Sequence, residues 1–346
     1  MACFALLAIL TSHASAVVIL NTDGTANNGQ TTDPGTGVPY SDVGVRGGGG
    51  ASVVYLGNDW VLTANHVTIG NGTPGYDDVQ LGGQDYTVGF TEQVYNSAAN
   101  GGSPTDLKLV HLLGDPTVNL PTVQIATSAP SNVSSQQAVT MIGAGMDLGA
   151  SQPYTIGGIQ CVAYNLTGSE EVPRWGTNLI TAHTVDQHSN YSVETYGMSD
   201  LGLRNSNGQE EYGYTFATTF GSSPSASNQE AQVTLGDSGG GVFEQVSGTW
   251  YLVGLIDGQS SPPLNASQND VSNNVFQASA SYGGERSIMI DLPDYNTIIA
   301  NDMALVPEPS SFVLGGVGAI LALLAGLHAR RQRLARWSPA LAAQAG

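Results

Sequence analysis

Short β-branched and aromatic runs recur along the chain between stretches of Gly, Ser, Asn and Thr: ASVVYL, WVLTA, YTVGF, LKLVHLL, AVTMIG, IQCVAY, LITAHTV, YGYTFATT, GVFEQV, TWYLVGLI and RSIMI. No amphipathic helical segment separates them, so the pattern predicts an all-β sandwich or barrel and not βαβ units. A fixed-period repeat is missing, which excludes a solenoid or propeller. After RSIMI, the segment DLPDYNTIIANDM puts Pro293 in a first helical turn and Ile298, Ile299 and Met303 near helical spacing, predicting one short terminal helix. A Pro, Ser and Asn stretch at 127–137 divides the β-rich region into two halves.

The two ends follow other patterns. An apolar run from Cys3 to Leu10 leads to Ala14-Ser15-Ala16, the small-residue site of a signal peptide cleaved before Val17, although no Lys or Arg precedes it. At the other end, VPEP is followed by an uncharged run from Phe312 to Leu327 and by arginines 330, 331, 333 and 336. Sixteen helical residues cover about 24 Å, which spans a hydrocarbon core of about 30 Å with local thinning. The arginines stay cytoplasmic and hold everything before them outside. This tail, residues 305–346, resembles the PEP-CTERM sorting signal of Gram-negative bacteria, with Val306-Pro307-Glu308-Pro309 as its motif. The resemblance implies processing by an exosortase; a plain C-terminal anchor is the alternative. Either way the expected location is the cell envelope or outer surface.

Roughly 290 residues lie between the signal peptide and the tail, enough for two moderate domains with proper cores. Cys161 is the one cysteine left there, which excludes an intramolecular disulfide and a cysteine-based zinc site. Ahead of the arginine cluster, five basic residues face 28 acids, a net of −23. That field repels polynucleotides and anionic lipid, so nucleic-acid binding is excluded.

One hexapeptide is out of keeping with this bland composition: GDSGGG, Gly236 to Gly241. Such a glycine cluster suits a tight loop whose amides converge on a ligand, or an ordinary turn. If Ser238 is a nucleophile, it needs a base and a group to orient that base. His66 closes the β-rich run WVLTAN, and Asp106 opens LKLVHLL forty positions later. His111, His183 and His188 have no companion ligands and read as strand or loop surface.

These three motifs, LTANHV, TDLKLVHL and GDSGGGVF, in the order His, Asp, Ser, resemble the trypsin and chymotrypsin superfamily of serine proteases. The resemblance implies a double β-barrel, with residues 17–130 forming the first barrel and 131–304 the second. It implies that Ser238 attacks the scissile carbonyl, that His66 takes the proton, and that Asp106 orients the imidazole. By the same likeness, Gly236 and Ser238 donate N–H groups to the oxyanion, and Asp237 pairs with a freed N-terminal amine. The family's usual Ile-Val-Gly-Gly activation site is missing, so the amine assigned to Asp237 is that of Val17, exposed by signal cleavage. Gln232, six positions before Ser238, takes the pocket-floor place, and Asp257 falls on the pocket-wall strand, where it could favour a cation. Because Gln232 stands where trypsin-like members carry an acid, a basic P1 residue is not expected, unless Asp257 restores some of that preference. No cofactor is required; Asp77, Asp78 and Asp85 are either solvated or a structural calcium site. The expectation is an exported serine endopeptidase acting on proteins or peptides; the alternative is a non-catalytic surface adhesin or matrix protein on the same scaffold.

Overall fold

The computed structural model describes residues 17–305 except 22–25, 71, 73–74, 97–101, 115, 117–119, 129, 131–137, 157–158, 169–171, 185–212, 222–228, 260–273 and 278–284, together with 321–325 and 327–328. Residues 1–16, read above as a signal peptide, the VPEP segment, most of 312–327, most of the 127–137 stretch and residues 185–212 lie outside this set. No helix among the described residues is long and apolar enough to cross a membrane.

After β1 (Val18–Asn21) and β2 (Ala26–Asn28), a 3₁₀ turn at Tyr40–Asp42 leads into six strands. These are β3 (Val43–Arg46), β4 (Ser52–Gly57), β5 (Trp60–Ala64), β6 (Asp78–Leu81), β7 (Gln84–Tyr95) and β8 (Pro104–Leu113). They close into a barrel in the order β3-β4-β5-β8-β7-β6. The β4–β5 hairpin turns at Asn58 and Asp59, both at positive φ (50° and 64°), the conformation that a two-residue turn needs and Asn and Asp tolerate. Every residue of β4 and β5 is buried. One face fills the barrel, and the other meets the second half of the chain.

That half contributes β9 (Ala138–Gly143), β10 (Asp147–Ile156), β11 (Ile159–Thr167), β12 (Arg174–Thr184), β13 (Thr215–Thr219), β14 (Gln229–Gln232), β15 (Gly241–Val246), β16 (Thr249–Gln259), β17 (Asn274–Gln277) and β18 (Arg286–Asp291). Its main sheet runs β13-β18-β16-β15-β9-β12-β14-β1-β2, and β12 also pairs with β13, so six of these strands form a ring. β10, β11 and β17 make a separate three-stranded sheet. Val139, Met141, Ile180, Phe216, Val242 and Met289 pack in the second core. The N-terminal segment, assigned to the first barrel on sequence grounds, belongs to this second sheet: β1 pairs with β14, and Val17 and Ile19 join the second core. Its apolar side chains decide this, since fully burying a valine is worth about 1.5–3 kcal/mol. The expected terminal helix is present as a 3₁₀ turn, Leu292–Tyr295, followed by α1 (Asn296–Leu305). Residues 17–299 lie in one compact unit and Ala300–Gly346 in another.

Asp42, at the end of the Tyr40–Asp42 turn, is fully buried. Burial pushes its carboxyl up from 3.8 to about 7, against the opposing pull of its own backbone N–H and the Ser41 hydroxyl. The unfolded chain releases this proton near pH 4 and the folded chain near pH 7, so folding stability falls across that window and the cost is complete above it. Asp42→Asn should therefore stabilise the protein by about 1–3 kcal/mol at pH 8 and by little at pH 4. Urea midpoints at the two pH values check this.

Candidate active site

β5 ends in the small residues Thr63 and Ala64, where Ala64 pairs with Leu107 on β8. The chain then turns, with Val67 N–H donating to the Ala64 carbonyl at 3.1 Å. His66 sits in this turn and meets Asp106 twice. Its backbone N–H donates to Oδ1 at 2.7 Å, and its Nδ1 lies 2.6 Å from Oδ2. On the far side of the ring, Nε2 is 2.8 Å from the Ser238 hydroxyl. A carboxylate at Nδ1 fixes the proton there and leaves Nε2 as the acceptor for that hydroxyl. Asp106 is 4% exposed. Burial alone would raise its pKa; contact with Asp257 and the hydrogen bonds and charge of His66 outweigh burial and hold the carboxyl below its ordinary range.

The loop carrying Ser238 turns at Gly236 (φ +95°) and Gly239 (φ +86°), angles that L side chains rarely adopt. Its backbone is tied down on several sides. Ser52 N–H donates to the Ser238 carbonyl (2.8 Å), the Ser52 hydroxyl to the Gly236 carbonyl (3.3 Å), and Gly239 N–H to the Ile256 carbonyl (2.8 Å). The N–H groups of Gly236 and Ser238 are left over, with no protein acceptor among the described residues. Two adjacent donors without acceptors, beside a hydroxyl with a base, form a site ready for a developing oxyanion. A Cβ on Gly239 would collide with the Ser52 carbonyl and the Thr63 hydroxyl. Gly239→Ala should cost about 2–4 kcal/mol of stability, read as a lower denaturant midpoint.

Behind the loop, Asp237 is fully buried. It accepts from Gly145 N–H at 2.8 Å, Thr234 N–H at 2.7 Å and the Val17 nitrogen at 3.2 and 3.3 Å. Burial pushes its carboxyl up to about 6, against the pull of these N–H donors. Val17 is itself fully buried and has φ +40°, an outlier for a β-branched residue.

The two residues assigned to the pocket are both deeply buried. Gln232 is fully enclosed, opposite Val18 on β1, and accepts a hydrogen bond from the Ser287 hydroxyl at 3.0 Å. Asp257 is 2% exposed, so it does not stand open to a substrate cation; its carboxyl packs against Asp106 and lies 4.0 Å from His66 Nδ1. His111 is not a surface residue either: it is 6% exposed, stacked on Phe90 and edge-on to Trp60. Asp77 accepts from Gly72 N–H and Asp85 from the Gln80 amide, and among the described residues neither joins a cluster able to hold an ion. Among the described residues, the one such cluster is His66, Asp106 and Asp257. Sequence reasoning missed Ser52, whose N–H and hydroxyl clamp the Ser238 loop from the first barrel; nothing in SVVYLG marks it.

Comparisons with known proteins give one family match and distant structural matches. The Trypsin family model matches residues 27–195, a span that holds His66 and Asp106 and ends before Ser238. No curated protein matches in sequence. Neuropsin, a serine protease expressed in the limbic system of mouse brain, superposes with a TM-score of 0.45 at 17% identity, over 80% of this chain and 98% of its own. The Rv3671c protein of M. tuberculosis H37Rv, in the inactive form of a serine-to-alanine mutant, gives a TM-score of 0.42 at 13% identity, over 81% of this chain and 98% of its own. The chain is mostly β, with a short helix near its C-terminus, and residues 27–195 are similar to the Trypsin family.

Proposed function

We propose that this chain is an exported serine endopeptidase that cleaves peptide bonds through a covalent acyl-enzyme. The observation that carries the reading is the imidazole of His66 held between Asp106 (2.6 Å) and the Ser238 hydroxyl (2.8 Å). Ser238 Oγ attacks the scissile carbonyl as its proton passes to His66 Nε2, and Asp106 stabilises the resulting imidazolium. The carbonyl oxygen becomes an oxyanion between the N–H groups of Gly236 and Ser238, each worth about 3–4 kcal/mol to the transition state. Collapse expels the amine, which takes the proton from Nε2. Water then repeats the sequence on the ester and regenerates Ser238.

Activation in this reading is the cut before Val17. A φ angle is defined by the carbonyl carbon of the preceding residue, so cleavage of the 16–17 bond removes the strain at Val17. It also converts a neutral N–H beside Asp237 into an ammonium. Both effects favour the processed chain, and both act on the carboxyl next to Ser238. Export by signal peptidase and retention at a Gram-negative surface through the PEP-CTERM-like tail, until an exosortase cuts it, complete the proposal. Neutral Gln232 at the pocket floor gives no preference for Arg or Lys at P1, and no cofactor enters the chemistry.

Stopped-flow hydrolysis of an activated ester by the processed chain tests this reading. One equivalent of leaving group released in a burst, then slower turnover, is expected of an acyl-enzyme. Strictly linear release, with no acyl adduct in the trapped protein, would favour the non-catalytic scaffold.

A further inference from the structure

Asp257 is not used by the steps above, although it lies against them. Its carboxyl is buried in contact with that of Asp106, and oxygens of both and a ring nitrogen of His66 all lie within 4.8 Å of one another. Its main chain faces the same centre, with the Asp257 carbonyl oxygen 3.2 Å from Ser238 Oγ. Two carboxyls this close and this dry cannot both ionise; one keeps a proton, as in paired-carboxyl sites generally. Asp106 collects the His66 backbone N–H at 2.7 Å and Nδ1 at 2.6 Å, donors that favour its charged form. The retained proton therefore belongs on Asp257.

We infer that Asp257 is a positioning residue held as the neutral acid, which donates its proton in a hydrogen bond to Asp106 and so fixes the carboxylate that orients His66. Other charged groups on the surrounding strands are engaged elsewhere or lie at strand ends. Lys108 on β8 donates to the carbonyls of Asn65 and Val67, Arg286 and Asp291 occupy the two ends of β18, and Glu244 lies opposite Tyr251 on β15. A hydroxyl or an amide could donate to Asp106 equally well. A carboxyl does so only while protonated, which makes its ionisation state part of the site.

The effect on turnover rests on the protease reading; the protonation state does not, and the test separates them. Infrared spectra of the processed chain and of Asp257→Asn are compared at pH 7 in the carbonyl-stretch region of un-ionised carboxylic acids. A band in the wild type that Asp257→Asn removes is expected, and superimposable spectra overturn the inference. In parallel, Asp257→Ala should lower kcat by about 10- to 100-fold, with KM changed less than about threefold, and Asp257→Asn, which can still donate, should recover most of that loss. An Asp257→Ala kcat equal to the wild type's, or an Asp257→Asn kcat no better than that of Asp257→Ala, overturns the positioning role. If the band is present but no form turns over any substrate, the protease reading fails while the shared proton stands.

Discussion

Ser238→Ala should lower peptide hydrolysis by about 10⁴- to 10⁶-fold while leaving the circular dichroism and unfolding midpoint close to those of the parent. The loss is this large because the hydroxyl supplies the bond that forms, and no neighbouring group replaces it. His66→Ala should match it within about tenfold, and the double variant should be scarcely worse, since the two residues act as one unit. Asp106→Asn tests a different step. It keeps the shape but turns an acceptor toward Nδ1 into an amide, favouring the wrong tautomer, and should cost about 10⁴-fold in kcat. Steady-state kinetics on a peptide substrate read all three. Variants that each lose less than about tenfold would mean the close approach of these side chains has no chemical use.

The second large effect is expected at the N-terminus. One extra residue before Val17, or Asp237→Asn in the processed chain, should lower kcat/KM by about 10²- to 10³-fold, the equivalent of losing an oxyanion donor. The link runs through the backbone: the carboxyl that takes the Val17 nitrogen belongs to the residue between Gly236 and Ser238, so a shift there moves both N–H groups. The electrostatics give the sign of the pH effect. With a neutral nitrogen at 17, burial raises the Asp237 carboxyl to about 6, so the extended chain loses stability as pH rises from about 4 through 6. A free ammonium in the same place lowers that pKa and removes the loss. The processed chain should therefore unfold at a higher temperature than the extended one at pH 7, and the gap should narrow below pH 4. Its ammonium, with a raised pKa, should hold this advantage until pH climbs above about 8. Equal activity of both forms would separate Asp237 from catalysis.

Much of the β framework could be read from apolar runs. WVLTA, AVTMIG and GVFEQV coincide with β5, β9 and β15 to the residue. Of the described strands, seven escaped: β1 (VILN), β10 (DLGASQPYTI), β17 (NVFQ) and four of another character. β2 is ANN, β3 is VGVR, β6 is DVQL and β14 is QEAQ, three or four residues each, polar or glycine-containing. Such strands are held by their neighbours, not by an apolar face of their own. In β14, buried Glu230 accepts from Gly221 N–H and the amide oxygen of buried Gln232 accepts from the Ser287 hydroxyl, and no periodicity records that. The candidate site divides in the same way. His66, Asp106 and Ser238 stand in motifs whose residue types are chemically demanding, so each could be picked out. Ser52 and Asp257 act through where the fold brings them, 186 positions from a partner in one case and 151 in the other (Ser52 to Ser238, Asp106 to Asp257), and a linear chain carries no mark of such a meeting.

Mass spectrometry of the processed chain after reaction with a fluorophosphonate tests most directly whether these side chains form a working nucleophile. One adduct, on Ser238, abolished by unfolding or by His66→Ala, is the expected result. No adduct on correctly processed, folded protein, or an adduct on another serine that is indifferent to His66, would contradict it.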